Sequence, residues 1–220
     1  ESVSQKYDIM NDLMSLGVHR LWKEGFVDWM APNSNQHLVD LAGGTGDIAF
    51  QFLKRGGKHV SIVDINEEMI KVGKQRKESC SFNNKISWLA CDAEKLSLKN
   101  ECADLVSISF GLRNVTNREA VLNEVLRVLK PGGRFMCLEF SKVKPAILKS
   151  LYDVWSFNLI PLVGEKVTGD KDSYKYLVES IRRFPSQESL IELMQSVGFI
   201  SVKVRNLSGG IVAIHSGWKI

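Results

Sequence analysis

Hydrophobic and polar positions along the chain change their period near residue 37. Ahead of it, Tyr7, Met10, Leu13, Met14, Leu21, Trp22, Phe26 and Trp29 recur at near-helical spacing, so residues 1–30 predict helix, divided in two by Gly17. From His37 onward, short β-rich runs alternate with longer amphipathic segments. Leu38–Leu41, Val60–Val63, Ile86–Leu89, Leu105–Ser109 and Phe135–Phe140 read as strands, with helices between most of them. Two helix starts are signalled directly: Asn66 before Glu67 and Glu68, and Asn117 before Glu119, Val121, Leu122, Val125 and Leu129. Each places a capping side chain and an acidic first turn at the positive end of the helix dipole. Lys130-Pro131-Gly132-Gly133 ends the second helix, because Pro forbids continuation and the glycines allow a tight turn into the fifth strand.

After that strand the order changes. Residues 145–183 predict a mostly helical insertion, and Ser186–Val197 a helix capped by Ser186 and stopped by Gly198. Phe199–Leu207 and Ile211–Trp218 then flank Ser208-Gly209-Gly210, a loop so short that the two strands must form an antiparallel hairpin. Strands separated by helices imply a parallel, doubly wound sheet. Five such strands finished by a reversed hairpin match the class I methyltransferase architecture, a Rossmann-like α/β fold that differs from the dehydrogenases in its final reversed strand. The expectation is a seven-stranded sheet in one domain, residues 1–220. It comprises a helical N-terminal cap (1–36), an α/β core (37–142), a helical cover inserted before the hairpin (143–185) and a C-terminal helix and hairpin (186–220).

Candidate chemistry gathers at the strand ends. Asp40-Leu41-Ala42-Gly43-Gly44-Thr45-Gly46-Asp47 follows the first strand, and glycines at a strand-to-helix crossing let backbone N–H groups approach a ligand. The spacing is neither a full G-x-G-x-x-G, since Ala49 follows Gly46, nor a P-loop, which demotes dinucleotides and nucleoside triphosphates. Asp64 ends the second strand, where a carboxylate accepts both ribose hydroxyls of a nucleoside, with a helix N-terminal acid as the plainer reading. Asp92 and Ala93 follow the third strand, where Asp92 can accept from an adenine amino group and Ala93 offers a backbone N–H, with a loop cap as the plainer reading of Asp92, and Ser109 ends the fourth. Together these fit S-adenosylmethionine, its adenosine on Asp64 and Asp92 and its methionine end over Gly44–Gly46. Asp40 either meets the amino-acid portion or holds the loop as a buried acceptor.

Several segments are more specific. Lys6-Tyr7-Asp8 to Met14-Ser15-Leu16-Gly17, His19-Arg20-Leu21-Trp22-Lys23, Ser109-Phe110-Gly111-Leu112-Arg113-Asn114-Val115, Leu138-Glu139-Phe140-Ser141, Tyr174-Lys175-Tyr176-Leu177 and Ala213-Ile214-His215 resemble the ubiquinone/menaquinone-biosynthesis C-methyltransferase family (UbiE type). The resemblance runs from the N-terminal helix to the last strand. It implies methyl transfer from S-adenosylmethionine to a ring carbon of a polyprenylated benzoquinol, of the 2-polyprenyl-6-methoxy-1,4-benzoquinol type, or of demethylmenaquinol. It puts donor contacts on Thr45, Asp64, Asp92, Ala93 and Ser109. Arg113 and Asn114, just past the fourth strand, are the candidates for stabilising a phenolate-like ring oxygen or polarising a water. Against this, Arg113 simply pairs with a carboxylate such as Glu139. His19, Tyr7, Asn11, Tyr174 and Tyr176 are weaker candidates as substrate neighbours, with packing as the alternative.

Composition narrows the partners. The 220 residues carry a formal charge of +4 without a basic stripe interleaved with aromatics, which speaks against nucleic acid. Four separated cysteines and no histidine cluster suggest neither a metal nor a disulfide framework, and fit a reducing compartment. No run reaches the roughly 20 apolar residues of a membrane span. Leu148, Leu151, Trp155, Leu159, Ile160, Leu162 and Val163 nevertheless give the insertion an apolar face. That face suits a prenyl tail and a membrane surface, with core packing or a homodimer contact as the alternative. The expected place is cytoplasmic and peripheral at the inner membrane, on the matrix side for an organellar chain, near other quinone-biosynthesis proteins. Competing readings are methylation of another small acceptor, and a non-catalytic subunit of the same fold that scaffolds a quinone-biosynthesis complex.

Overall fold

The computed structural model describes residues 17–141 and 171–220. The expected helix before Gly17, with Tyr7 and Asn11, and the apolar face of the insertion lie outside the described residues. Helix α1 (His19–Met30) leads into β1 (His37–Leu41), α2 (Asp47–Lys54), β2 (His59–Asp64), α3 (Glu67–Gln75), the short α4 (Lys77–Ser81) and β3 (Ile86–Ala90). The chain continues through β4 (Ala103–Ser109), α5 (Arg118–Val128) and β5 (Leu129–Phe140). After the undescribed segment come α6 (Lys171–Arg183), α7 (Gln187–Val197), β6 (Ile200–Leu207) and β7 (Val212–Trp218).

The capping signals operate as read. Asn66 accepts from the Glu68 and Met69 amides, Asn117 from Ala120, and Ser186 from Ser189, each satisfying a helix-start donor. The Lys-Pro-Gly-Gly segment differs from expectation in one respect. Helix α5 already ends at Val128, and residues 130–133 form an excursion within β5: Leu129 pairs with Ala103 and Arg134 with Leu105. The excursion is closed by Lys219, whose carbonyl accepts from Gly132 and whose amide donates to Gly133. A Pro with no N–H is tolerated where the ladder is interrupted.

Among the described residues, seven strands form one sheet in the order β3-β2-β1-β4-β5-β7-β6. β1 to β5 are parallel, and β7 lies antiparallel between β5 and β6. The hairpin was legible, but its second strand is the one that enters the sheet, leaving β6 at the edge. Alternation along the buried strands sends residues to two cores. Leu38, Val60, Ile62, Leu105, Met136 and Ile214 face α1 and α2 through Phe26, Met30 and Phe52. Val39, Leu41, Val106, Ile108, Phe135 and Cys137 face α5 and α7 through Leu122, Val125, Leu190 and Met194. A strand covered on both faces reads as a near-continuous apolar run, as Leu38–Leu41 does apart from Asp40 and Val60–Val63 does apart from Ser61.

Candidate active site

Between β1 and β4 the strand order reverses, and a crevice opens at the carboxyl ends of the strands beside such a reversal. A cavity of about 390 Å³ occupies that place. Its wall is assembled from four strand ends: Asp40 and Ala42–Thr45, then Val63–Asn66, Cys91–Glu94, and Ser109–Gly111 with Asn114–Thr116. Lys23 of α1, Asp47 and Ile48 of α2 and Met69 of α3 complete it.

The first turn is shaped by close approach. Gly46 has φ 91° and lies against Phe50 and Ile62, so a side chain there would strain the start of α2. Gly46 shapes the loop from behind and does not line the cleft, whereas Gly44 and Thr45 do. The Gly44 amide donates to Asp64 Oδ2 at 2.8 Å, and the Asn66 amide to Asp64 Oδ1 at 2.8 Å. Asp64 is thus locked between two loops, and a carboxylate with about four acceptor sites keeps two for a ligand. Asp92 Oδ1 accepts from the Glu94 amide at 2.9 Å, while Ala93 stands beside it on the wall.

Asp40 is buried, with Oδ1 accepting from Ser107 Oγ at 2.6 Å and Oδ2 unpartnered. Burial pushes its carboxyl up to about 7, against the Ser107 hydrogen bond and the Lys23 charge. Ser109 Oγ is likewise buried and unpartnered at the end of β4. Both residues line the cavity, and among the described residues neither oxygen has a partner, which is a costly arrangement for buried polar atoms. Ala42 and Phe110 adopt the left-handed region at φ 48° and 55°, so strain is stored at both turns of the reversal.

Arg113 does not line the cleft. Its side chain is 2% exposed and its Nη1 lies 3.2 Å from Glu139 Oε1, with a further bond to the Phe110 carbonyl. The Arg113 amide also donates to Glu139, which in turn accepts from the Phe140 amide. The guanidinium therefore braces the turn Leu112–Asn114 from beneath, which is the pairing weighed against a direct role; the reason is that a buried cation takes the carboxylate that β5 presents in the same layer. Asn114 is exposed on the cleft wall, and Tyr176 of α6, 53% exposed, donates to its Oδ1 at 3.5 Å. His19 is buried at the start of α1 and is not on the wall. Tyr174 falls on α6 with its side chain outside the described residues.

Three further groups went unread in the sequence. Asp47 pairs with Lys23 from α1 and Arg76 from the end of α3; burial alone would raise its carboxyl, yet the two cations hold it well below the usual carboxylate range. Arg76 also donates to Thr45 Oγ1 at 3.1 Å. Glu94 accepts from the Thr116 and Asn117 amides, both at 2.8 Å, tying the third strand-end loop to the fourth. The partners stand 22 to 31 residues apart in the chain, which left no local signal for these pairs.

Residues 1–219 match the ubiE/COQ5 methyltransferase family. The ubiquinone/menaquinone biosynthesis C-methyltransferase UbiE of Acidiphilium cryptum is 54% identical over 220 residues, covering 100% of this chain and 88% of that protein. The mitochondrial 2-methoxy-6-polyprenyl-1,4-benzoquinol methylase of Danio rerio is 48% identical, covering 100% and 78%. Among solved structures, a SAM-dependent methyltransferase from Thermotoga maritima superposes with TM-score 0.70 at 22% identity, over 99% of this chain and 96% of that one. Haemonchus contortus phosphoethanolamine N-methyltransferase 2, in complex with S-adenosyl-L-methionine, gives 0.68 at 14% identity over 90% and 52%. These distant structures share the fold, while the match over residues 1–219 and the identity of about half the residues go further: the chain belongs to the ubiE/COQ5 methyltransferase family.

Proposed function

We propose that the protein methylates a ring carbon of a polyprenylated benzoquinol, of demethylmenaquinol, or of both, with S-adenosylmethionine as methyl donor. The observation that carries this reading is the single cleft in which Gly44, Thr45, Asp64, Asp92, Ala93, Ser109 and Asn114 converge from four strand ends. S-adenosylmethionine, when bound, supplies an electrophilic methyl on sulfur for in-line attack by the ring carbon. Asp64 takes the ribose hydroxyls, Asp92 and the Ala93 amide the adenine edge, and the Gly44–Thr45 turn with Asp40 the amino-acid end.

The protein's task at the reacting end is orientation and charge stabilisation. Loss of a hydroquinol proton puts electron density on the carbon ortho to the oxygen. The Asn114 amide, held by Tyr176 on one side and by the Arg113-braced turn on the other, donates to that oxygen or to a water beside it. Arg113 acts through this turn as a positioning residue, being buried against Glu139. The whole chain, 1–220, is read as one methyltransferase domain, with 1–36 and 143–185 covering the quinol. No described helix is long and apolar enough to cross a membrane. The prenyl tail is met at the bilayer surface in this reading, and the apolar sequence around Trp155 and Leu159 is the proposed contact.

Calorimetry with S-adenosylmethionine, followed by mass spectrometry of benzoquinol and demethylmenaquinol acceptors incubated with labelled donor, tests the reading. Binding and incorporation into at least one acceptor are expected. Absence of binding at millimolar donor would leave only a scaffolding role, and binding without incorporation a different acceptor. Flotation with liposomes tests the surface contact: the wild type should float and a Trp155→Asp/Leu159→Asp variant should not, whereas equal behaviour of the two rejects it.

A further inference from the structure

The cleft wall is heavily acidic. Asp40, Asp47, Asp64, Asp92 and Glu94 all line it, and among the described lining residues Lys23 is the one cation. Arg76, the other nearby cation, is spent on Asp47 and on Thr45 and is not part of the wall. A ligand carrying a carboxylate has one place in such a cleft where that charge is matched.

Lys23 is set up for this. Its side chain is 11% exposed, and its position is dictated by the burial of neighbouring Trp22 and Phe26 in the core. Its Nζ donates to Asp47 Oδ2 at 2.8 Å, the one hydrogen-bond partner of that atom among the described residues. An ammonium has three N–H donors, so two remain for a ligand. Asp47 is shared between two cations, Lys23 on Oδ2 and Arg76 on Oδ1, so the Lys23 ammonium is positioned by this pair without being enclosed by it. Asp40, on the same wall, offers an unpartnered buried oxygen, and the Lys23 charge is felt there. One free cationic donor set and one empty carboxylate oxygen beside a glycine turn form the complement of an amino-acid zwitterion.

We propose that Lys23 recognises the α-carboxylate of the methyl donor, making α1 part of the donor site and giving the cleft its selectivity for the intact amino-acid end. This rests on the S-adenosylmethionine reading above. The Gly44–Thr45 turn and Asp40 meet the amino-acid end without a positive side chain, so the charge that matches the carboxylate comes from α1.

Calorimetry with S-adenosylmethionine and with its decarboxylated analogue, which lacks only the carboxylate, isolates this contact. The wild type should prefer the intact donor by roughly tenfold or more, the scale of a hydrogen bond between charged groups. Lys23→Met should abolish the preference by weakening the intact donor to the level of the analogue. Lys23→Gln, which keeps a donor toward Asp47 but no charge, should do the same if the methionine variant fails to fold. Arg76→Met, which loosens Asp47 and Thr45 from outside the wall but leaves the Lys23 ammonium in place, should weaken both ligands and keep the preference. Equal weakening of both ligands by the Lys23 variants, an unchanged preference, or its loss in Arg76→Met would each overturn the assignment. If the wild type bound neither ligand, the donor reading itself would fall and this one with it.

Discussion

Asp40 stands out among the site residues because its environment sets a pH dependence whose sign can be worked out. Its carboxyl rises to about 7 in the fold from 3.8, so between those values the folded protein holds a proton that the unfolded chain has lost. Stability is then fully present below the unfolded value and falls as pH rises through about 7. Asp40→Asn should make the ligand-free protein melt higher than wild type near about pH 8, by an upper bound of about 4 kcal/mol, with the gap closing toward about pH 4. Melting curves across that range check it, and a gap that does not vary with pH contradicts it. Asn114 and Arg113 divide differently. Asn114→Ala, at an exposed position, should leave the melting temperature unchanged and lower kcat by about 10²-fold, the scale of losing one donor to a developing anion. Arg113→Ala strands Glu139 and should cost about 3–5 kcal/mol of stability. Thermal melts run beside turnover assays separate the two; a kcat loss for Arg113→Ala with an unchanged melt would restore a direct catalytic role.

At the scale of elements, the strand-end turns depend on one another. A Cβ on Gly111 would lie 2.6 Å from Cβ of Ala42, so the turn after β4 rests directly on the turn after β1. A β-carbon cannot swing aside, and Gly111→Ala should therefore cost about 1–3 kcal/mol and weaken donor binding, since Ala42 belongs to the glycine turn. Denaturant melts and calorimetry on that variant provide the check, and wild-type values in both would show the turns to be independent. β7 carries a second buried titratable group. His215 faces Cys137 of β5 and Val204 of β6, and burial pushes its imidazole down to about 4, opposed by the Gln187 backbone and Glu188. The unfolded chain protonates near 6.5 while the fold does not, so this contribution is lost as pH falls from about 6.5 toward about 4. His215→Gln should flatten acid destabilisation over that window, read by melts of the two proteins; parallel curves would place the titration elsewhere.

For the whole molecule, what was legible in the sequence followed from local physics. Period-2 and near-3.6 runs marked the positions of the seven described strands and most described helices, although β5 begins ahead of Phe135 and the short α4 left no signal, and Asn66, Asn117 and Ser186 marked helix starts because a cap acts within its own first turn. Strand-end residues such as Asp64 and Ser109 were legible because a parallel sheet brings all its strand ends to one edge. Other features depend on which distant segments meet. The insertion of β7 inside β6, the burial of Arg113 on Glu139, the clamp of Lys23 and Arg76 on Asp47, and the brace from Glu94 to Thr116 join positions with no common period. The strands, the glycine turn and the acids at the strand ends were thus determined by the sequence alone, through near-neighbour sterics and hydrogen bonding. Which charges face the cleft and which are spent inside was decided only by the tertiary structure, because burial and pairing depend on what packing brings within a few ångströms.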